Sequence, residues 1–463
     1  MNDAVEFTDL PIEPMLLQGL DALGHVRMTP IQARSLPLLL AGHDLIAQAP
    51  TGSGKTAAFG LALLHRVELG LFRTQALVLC PTRELADQVA KQIRKLGTGM
   101  PNLKLLTLTG GVALGPQLAS LETHAPHVVV GTPGRVQELL RKKALNLRDV
   151  RVLVLDEADR LLDMGFEEPI REIAKAAPKD RQTLLFSATF PEPVRNVARA
   201  TMRDAREVSV EAHADATPIE QHFYEVDAAQ KPAALAGVLI EHGANHALVF
   251  CNMRRDTEEV VSSLLHLGFS ALALHGEMEQ RDREEVLVQF ANRSCNVLVA
   301  SDVAARGLDI EDLGAVVNHD VPNDPDTYLH RIGRTGRAGR GGVAATLCTS
   351  RELPRLNAIR DTLGLRIDLR RPPLALLRKN VATRAPMATL RIDAGRTDKL
   401  RPGDIVGALT GEAGLTSDAI GKIDVFATRS YVAIQRAHAG RALARLQQGR
   451  IKAKRFRVRL LEL

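Results

Sequence analysis

Short apolar runs, each breaking off at a residue that carries chemistry, recur through the first 320 residues and restrict the fold more than any other feature. "ALVLC" (76–80), "LLTLTG" (105–110), "VVVGTP" (128–133), "VLVLDEAD" (152–159) and "TLLFSAT" (183–189) form one series. "ALVFC" (247–251), "ALALHG" (271–276), "VLVASD" (297–302) and "AVVNHD" (315–320) form a second. Runs this short and this continuously apolar read as strands buried on both faces, as in parallel sheets. "ALVLCPTRE" and "ALVFCNMRR" repeat one pattern, a strand, a Cys and an Arg-bearing loop, which predicts two tandem α/β domains of similar topology. Their boundary falls near "EAHADATP" (211–218). In open parallel sheets function gathers beyond the carboxyl ends of the strands, and here those ends carry Thr, Arg, Gly, Asp and His.

The pattern changes after about residue 365, where "LRIDLRRPPLALLRKNVATRAP" has no period and reads as a linker. From Met387 the segments "ATLRIDA", "DIVGALTG", "KIDVFA", "SYVAIQ", "HAGRALARLQQ" and "FRVRLL" predict a split βαββαβ domain. The expected boundaries are 1–210 and 211–368 for the two α/β domains, 369–386 for the linker and 387–463 for the last domain. Residues 387–463 hold 15 Lys and Arg against 7 Asp and Glu, a net +8, which leaves residues 1–386 at −2 out of the total of +6. Positive charge concentrated in one segment is the footprint of a polyanion partner, most simply a nucleic acid. The chain's end, "RIKAKRFRVRLLEL" (450–463), slips phase at Lys454–Arg455. That slip predicts a turn or bulge, then a last strand with Phe456, Val458 and Leu460 inward and Arg455, Arg457 and Arg459 on the opposite face or its rim. The apolar runs fall short of the ~18–20 residues that cross a bilayer. "MNDAVEFTDL" lacks a basic-then-apolar leader, and the four cysteines lack metal spacing, so a cytosolic protein with reduced thiols is expected.

"APTGSGKT" (49–56) follows the apolar "DLIAQ" and precedes a helical pattern. Glycines let such a loop curl its N–H groups around phosphate oxygens, and the helix N-terminus adds its positive end. Lys55 then reaches the β/γ-phosphates and the Thr56 hydroxyl binds Mg²⁺. The strict pattern has Gly at the first position, where this chain has Ala49. Asp156 and Glu157 close a buried strand with two carboxylates. Successive side chains point to opposite sides, so the two can face different tasks, Asp156 toward Mg²⁺ and Glu157 toward the attacking water. "HRIGRTGRAGR" (330–340) spaces Arg331, Arg334 and Arg337 along one helical face, a source of positive charge for a γ-phosphate.

With these pieces in order the chain resembles the DEAD-box RNA helicases over residues 7 to about 365, and it carries "DEAD" itself at Asp156–Asp159. The resemblance implies two tandem RecA-like parallel-sheet domains, with ATP and Mg²⁺ as cofactors. "GHVRMTPIQ" (24–32) implies that Gln32 reads the adenine edge and that Phe7 stacks on the ring. The ATP site would include Ala49, Pro50, Thr51, Gly52, Ser53, Gly54, Lys55 and Thr56, with Asp309 on the ribose and Arg331 and Arg334 as arginine fingers. Pro81, Thr82, Arg83, Gly110, Gly111, Thr132, Pro133 and Arg135 match RNA-backbone contacts of the first domain. Gly276, Gln280, Arg283, Ser301, Asp302 and Arg306 match those of the second. Ser187 and Thr189 of "SAT", with Asp159 and His330, imply coupling between hydrolysis and RNA. The expected activity is local, non-processive unwinding of short duplexes.

The last domain is similar to an RNA-recognition motif, a small α+β fold. Its stacking positions on "ATRSYVAI" (427–434) are Arg429 and Tyr431, and only the second is aromatic. "LRIDAGRTDKLRPGDIVGALTGEAGL" and "IGKIDVFATRSYVAI" resemble the DbpA subgroup. That implies a 23S ribosomal RNA hairpin and large-subunit precursor particles as partners, and a monomer without a membrane partner. Arg429, Tyr431, Arg455 and Arg457 are its candidate RNA contacts. Two other readings stay open at this point. One is a helicase with no preferred RNA; the other is an ATP-gated RNA clamp or assembly scaffold.

Overall fold

The computed structural model describes residues 6–50, 52–123, 125–210, 219–242, 245–305, 313–336, 341–379, 384–411 and 414–462. They fall into two compact units, 6–210 and 219–462.

The first unit is built on seven parallel strands: β1 (Leu45–Gln48), β2 (Ala76–Leu79), β3 (Leu105–Leu108), β4 (Val128–Gly131), β5 (Val152–Leu155), β6 (Gln182–Ser187) and β7 (Arg206–Ser209). Their order across the sheet is β3-β4-β2-β5-β6-β1-β7. The apolar runs alternate between two cores, as a sheet covered on both faces requires. Ala76, Val78, Val128, Val130, Val152 and Val154 pack on one side, and Leu77, Leu79, Val129, Leu153 and Leu155 on the other. Helices between the strands start where the chain supplies a cap. Thr29 and Gln32 form a capping box on the Pro30–Leu40 helix, which opens on Pro30, and Thr82 accepts from Leu85 N at 3.3 Å to begin Arg83–Leu96.

The second unit contains a further seven parallel strands: β8 (Ile219–Glu225), β9 (Ala247–Cys251), β10 (Ala271–Leu274), β11 (Val297–Ser301), β12 (Ala315–Asn318), β13 (Gly342–Cys348) and β14 (Leu369–Arg370). Their order is β10-β11-β9-β12-β13-β8-β14. Counted from its own first strand, this sheet repeats the order of the first, so the duplicated strand–Cys–Arg pattern reflects a duplicated topology. Three of these strands lacked a readable run. β8, "IEQHFYE", is half polar, β13, "GVAATLC", is rich in small residues, and β14 spans two residues.

The stretch expected to be a bare linker is partly built into this domain. β14 pairs with β8, and Leu374 and Leu377 of the Leu374–Lys379 turn pack on its core, because "PPLALL" has apolar surface to bury.

The same unit ends in a four-stranded antiparallel sheet: β15 (Met387–Ile392), β16 (Ile420–Val425), β17 (Ser430–Gln435) and β18 (Val458–Leu460), ordered β16-β17-β15-β18. With helices Pro402–Thr410 and Ala439–Gln448 this is the split βαββαβ arrangement. Leu390, Ile392, Val432 and Ile434 form its core. The phase slip of the tail is a tight turn. Lys452 and Ala453 have φ of 50° and 65°, and Ile451 bridges to Lys454. Val458 then enters the core with Phe456 and Leu460 against it, while Arg455 and Arg457 stay exposed.

Candidate functional site

The "APTGSGKT" loop leaves β1 and enters the Lys55–His65 helix. Gly52 and Gly54 are left-handed, with φ of 81° and 92°, a conformation that a β-carbon disfavours. The loop is braced from behind. Thr29 Oγ1 donates to the Ser53 carbonyl (2.7 Å), and Gln32 Nε2 donates to the Gly54 carbonyl (3.1 Å) while its Oε1 accepts from Thr29 N (2.8 Å). Gln32 is fully buried, and in this arrangement the side chain expected to read adenine shapes the phosphate loop. Phe7, expected to stack on the ring, is buried in the first core, and a bridge between Glu6 and Arg27 brings its segment beside the Thr29–Gln32 box. The Lys55 ammonium folds back onto the carbonyls of Ala49 (2.6 Å) and Pro50 (3.1 Å). Thr56 is half-buried at the helix start. Thr51, Arg306, Asp309 and Arg337 lie outside the described residues.

Beyond β5 the two carboxylates diverge, though not by strand alternation. The strand ends at Leu155, and Glu157 takes a left-handed conformation (φ 50°, ψ 56°), which turns the chain into the Ala158–Asp163 helix. Asp156 is buried. Burial, and then the neighbouring Glu157 carboxylate, push its carboxyl up to about 7 despite the attraction of Lys55. A buried carboxylate held this far from easy ionisation next to a phosphate loop fits a divalent cation, and the Thr56 hydroxyl supplies a second oxygen of suitable chemistry.

Asp159 joins this strand end to the next. Its carboxylate accepts from Thr189 N (3.0 Å) and Thr189 Oγ1 (2.8 Å), and its own N–H donates to Ser187 Oγ (3.2 Å). Ser187 closes β6, and its carbonyl accepts from Ala49 N (3.1 Å) in the phosphate loop. Phosphate loop, DEAD and SAT segments thus form one hydrogen-bonded chain across three adjacent strand ends. The expected coupling residues Ser187, Thr189 and Asp159 lie together.

The other side of the same sheet, β3-β4-β2, collects the segments expected to meet RNA. Gly110 N donates to Thr132 Oγ1 at 3.4 Å, and a Cβ on left-handed Gly111 would fall on the Arg83 guanidinium. Pro81, Thr82 and Pro133 are buried at the strand ends. Arg135 is only 8% exposed. It donates to Gln117 Oε1 (2.8 Å) and the Val112 carbonyl (3.0 Å) and pairs with Glu138 (3.1 Å). As placed, it holds the Gly110–Val112 loop against Thr132 rather than presenting its charge to a ligand. Gln117, which also donates to the Thr109 carbonyl (3.0 Å), was unread in the sequence.

In the second unit Arg331 departs from the arginine-finger expectation. It is 1% exposed, and its five N–H groups all have acceptors. Nε and Nη2 grip the Asp302 carboxylate (2.7 Å each), Nη1 reaches Asn318 Oδ1 (3.2 Å) and the Asp320 carbonyl (3.0 Å), and Nη2 reaches Asn252 Oδ1 (2.7 Å). The guanidinium therefore ties the ends of β9, β11 and β12 together. Arg331 and Arg334 do not share a helical face either. The Pro325–Ile332 helix, which holds half-buried His330, stops before Gly333, so buried Arg334 lies in the following turn. Ser301 ends β11 beside Asp302, and Gly276 is exposed after β10. Gln280 and Arg283 lie in the first turn of the Gln280–Ala291 helix.

Sequence reasoning also missed the cluster beneath Arg331. The Lys231 ammonium bridges Asp320 (2.7 Å) and Glu352 (3.0 Å), and Asp320 also meets Asn252 N (3.1 Å) and His319 Nδ1 (3.1 Å). Against burial, His319 and then Lys231 hold the Asp320 carboxyl well below its usual range. Cys251, His319 and Asp320 come within metal-ligand distance of one another, but Asp320 already has its cation in Lys231.

In the last domain, the two residues expected to stack on bases are engaged. Tyr431 is fully buried, and its hydroxyl donates to Glu285 Oε1 (3.2 Å), which Arg429 Nη1 also meets at 3.3 Å. As placed, Tyr431 offers no face to a base. Arg455 and Arg457 remain at the exposed end of the domain, beside the Lys399 and Lys452 loops, where Lys452 Nζ reaches the Lys399 carbonyl at 3.1 Å.

Comparison with known proteins bears on this arrangement. Residues 29–197 match the DEAD/DEAH box helicase family, 230–339 the helicase conserved C-terminal domain and 389–460 the DbpA RNA binding domain. The chain is 49% identical over 452 residues to the ATP-dependent RNA helicase DbpA of Escherichia coli, covering 97% of this chain and 98% of that one. It is 41% identical to the DEAD-box ATP-dependent RNA helicase CshA of Geobacillus kaustophilus, over 79% of this chain and 78% of that one. Among solved structures, Saccharomyces cerevisiae Dbp5 bound to RNA and ADP BeF3 superposes with a TM-score of 0.72 at 30% identity, over 81% of this chain and 99% of that one. The phosphate loop, the Asp156–Asp159 turn, its bond to SAT and the small basic third domain have the same origin: the chain belongs to the DEAD-box ATP-dependent RNA helicases, of the DbpA type.

Proposed function

We propose that this protein couples RNA-stimulated ATP hydrolysis to local, non-processive opening of short RNA duplexes, and that its third domain directs it to 23S ribosomal RNA in large-subunit precursor particles. The observation that carries the first half is the Asp159 carboxylate, bonded twice to Thr189 while its turn also bears Asp156 and Glu157. In this reading Lys55 and the loop N–H groups bind the phosphates, and Glu157 orients and deprotonates the attacking water. Thr56 and Asp156 would hold Mg²⁺, which when bound supplies charge neutralisation at the phosphates. Opening a few stacked steps costs several kcal/mol at about 1.4 kcal/mol each, a DNA figure taken for scale. Only differential binding of the ATP-bound state can supply that.

Asp159→Ala tests the coupling. It removes the acceptor of both the Thr189 N–H and the Thr189 hydroxyl, and leaves only the backbone N–H bond to Ser187 Oγ between the two strand ends. Base pairs opened per ATP hydrolysed are expected to fall about tenfold, with basal ATPase changed less than threefold. An unchanged ratio would remove Asp159 from the coupling role.

The second half is supported by the net +8 of residues 387–463 and by the match of residues 389–460 to the DbpA RNA binding domain. RNA is assigned to the exposed basic end around Arg455 and Arg457, since Tyr431 is covered. The full-length double variant Arg455→Glu, Arg457→Glu is expected to raise the concentration of a 23S fragment giving half-maximal ATPase by at least tenfold. The response to an unstructured RNA of equal length should shift far less. An equal shift for both RNAs, with a shallower salt dependence, would leave a helicase without a preferred target. A monomer acting in the cytoplasm completes the proposal.

A further inference from the structure

The face of the last sheet that lies away from its own core is a docking surface for the domain before it. Along β15 and β17, Leu390, Ile392, Val432 and Ile434 point into the core of the small domain. The alternate residues Thr389, Arg391, Tyr431 and Ala433 point the other way, yet all are at most 4% exposed. What covers them is the Gln280–Ala291 helix and the residues that follow it. Glu285 Oε1 takes three donors from the sheet: Arg391 Nη1 (2.6 Å), Tyr431 Oη (3.2 Å) and Arg429 Nη1 (3.3 Å). At the helix end, Asn292 Nδ2 donates to Thr389 Oγ1 (2.8 Å), whose hydroxyl also meets Ser294 Oγ (2.8 Å). Arg436 Nη2 adds a bond to the Ser294 carbonyl (3.4 Å).

At about 100° per residue, Glu285 and Asn292 fall on one face of that helix, roughly two turns apart. Gln280 and Arg283 lie about 140° and 160° around the axis from Glu285, on the far side. One helix thus has a face held by the small domain at two points and an opposite face bearing the two residues assigned to RNA. We infer that Glu285 is a positioning residue: through it the third domain fixes the orientation of the helix that presents Gln280 and Arg283 to the RNA backbone. The inference rests on the proposed RNA-stimulated ATP hydrolysis and on the assignment of those two residues to the RNA backbone.

The test uses full-length protein and oligouridylate, an unstructured RNA that the third domain has no sequence reason to prefer. Glu285→Ala is expected to raise the oligouridylate concentration for half-maximal ATPase about tenfold, with kcat at saturating RNA and ATPase without RNA both within twofold of the parent. Glu285→Gln, which keeps the shape and an acceptor oxygen, should recover most of that shift. Arg391→Ala, on the other side of the contact, should move the same quantity in the same direction by a smaller factor, and it leaves the helix sequence intact should Glu285→Ala fold poorly. A parent stimulated by RNA, with Glu285→Ala and Arg391→Ala unshifted, overturns the inference alone. So does a loss in kcat equal to the loss in half-saturation. A parent that oligouridylate does not stimulate overturns the functional assignment and the inference with it.

Discussion

An Arg331→Ala variant is expected to lose about 3–5 kcal/mol of stability in its second domain, the range found when one partner of a buried ion pair is removed. The size follows from what the side chain leaves behind. Asp302 loses a bidentate partner, and Asn252, Asn318 and the Asp320 carbonyl each lose a donor inside the protein. Unsatisfied buried acceptors carry their full desolvation cost. At roughly 2–4 °C per kcal/mol for domains of this size, the midpoint for this domain should fall on the order of 10 °C. Thermal unfolding followed by circular dichroism, with and without ATP and RNA, measures it. Arg331→Lys should recover only part of the loss, since an ammonium cannot fill five acceptors in one plane. A variant that unfolds with the parent while losing ATPase would return Arg331 to the arginine-finger role.

Glu157→Gln is expected to reduce turnover at saturating ATP and RNA by roughly 10²–10⁴-fold, the usual contribution of a positioned general base. Binding of ATP and RNA should stay within a few-fold of the parent. The amide matches the carboxylate in size and leaves the left-handed turn intact, so folding should not change. A non-glycine residue in that conformation costs on the order of 1–2 kcal/mol, and such strain tends to persist where geometry serves function. Single-turnover hydrolysis separates chemistry from product release. A rate within threefold of the parent would make Glu157 a hinge only. If the slow variant still supports subunit assembly, gripping RNA suffices and unwinding is dispensable.

What could be read in the chain depended on how local the physics was. Parallel strands buried on both faces announce themselves as apolar runs, so β2–β6 and β9–β12 were legible. β8 and β13 were not, because half-polar and small-residue strands look like loops. The phosphate loop and the DEAD turn are each contiguous in sequence, so both could be read as motifs. Arg331 misled because its acceptors sit at 252, 302, 318 and 320, separated by up to 79 positions, and only the fold assembles them. Glu285 was invisible for the same reason. In "REEVLVQF" it reads as one more acid on a solvated helix, and its partner Arg391 is 106 residues away. Strand alternation was expected to separate the two carboxylates. Asp156 and Glu157 diverge through a backbone turn, not a pleat.

The covered sheet face has a consequence for work on fragments. Cut free at about residue 387, the small domain would expose Arg391, Arg429 and Tyr431 together, two guanidinium groups around an aromatic ring. That is a passable platform for any single-stranded RNA. The excised piece should therefore bind more RNAs, and discriminate less, than the same residues do in the intact chain. In the intact chain, Glu285 occupies the donors of that platform, and Arg455 and Arg457 stay in water.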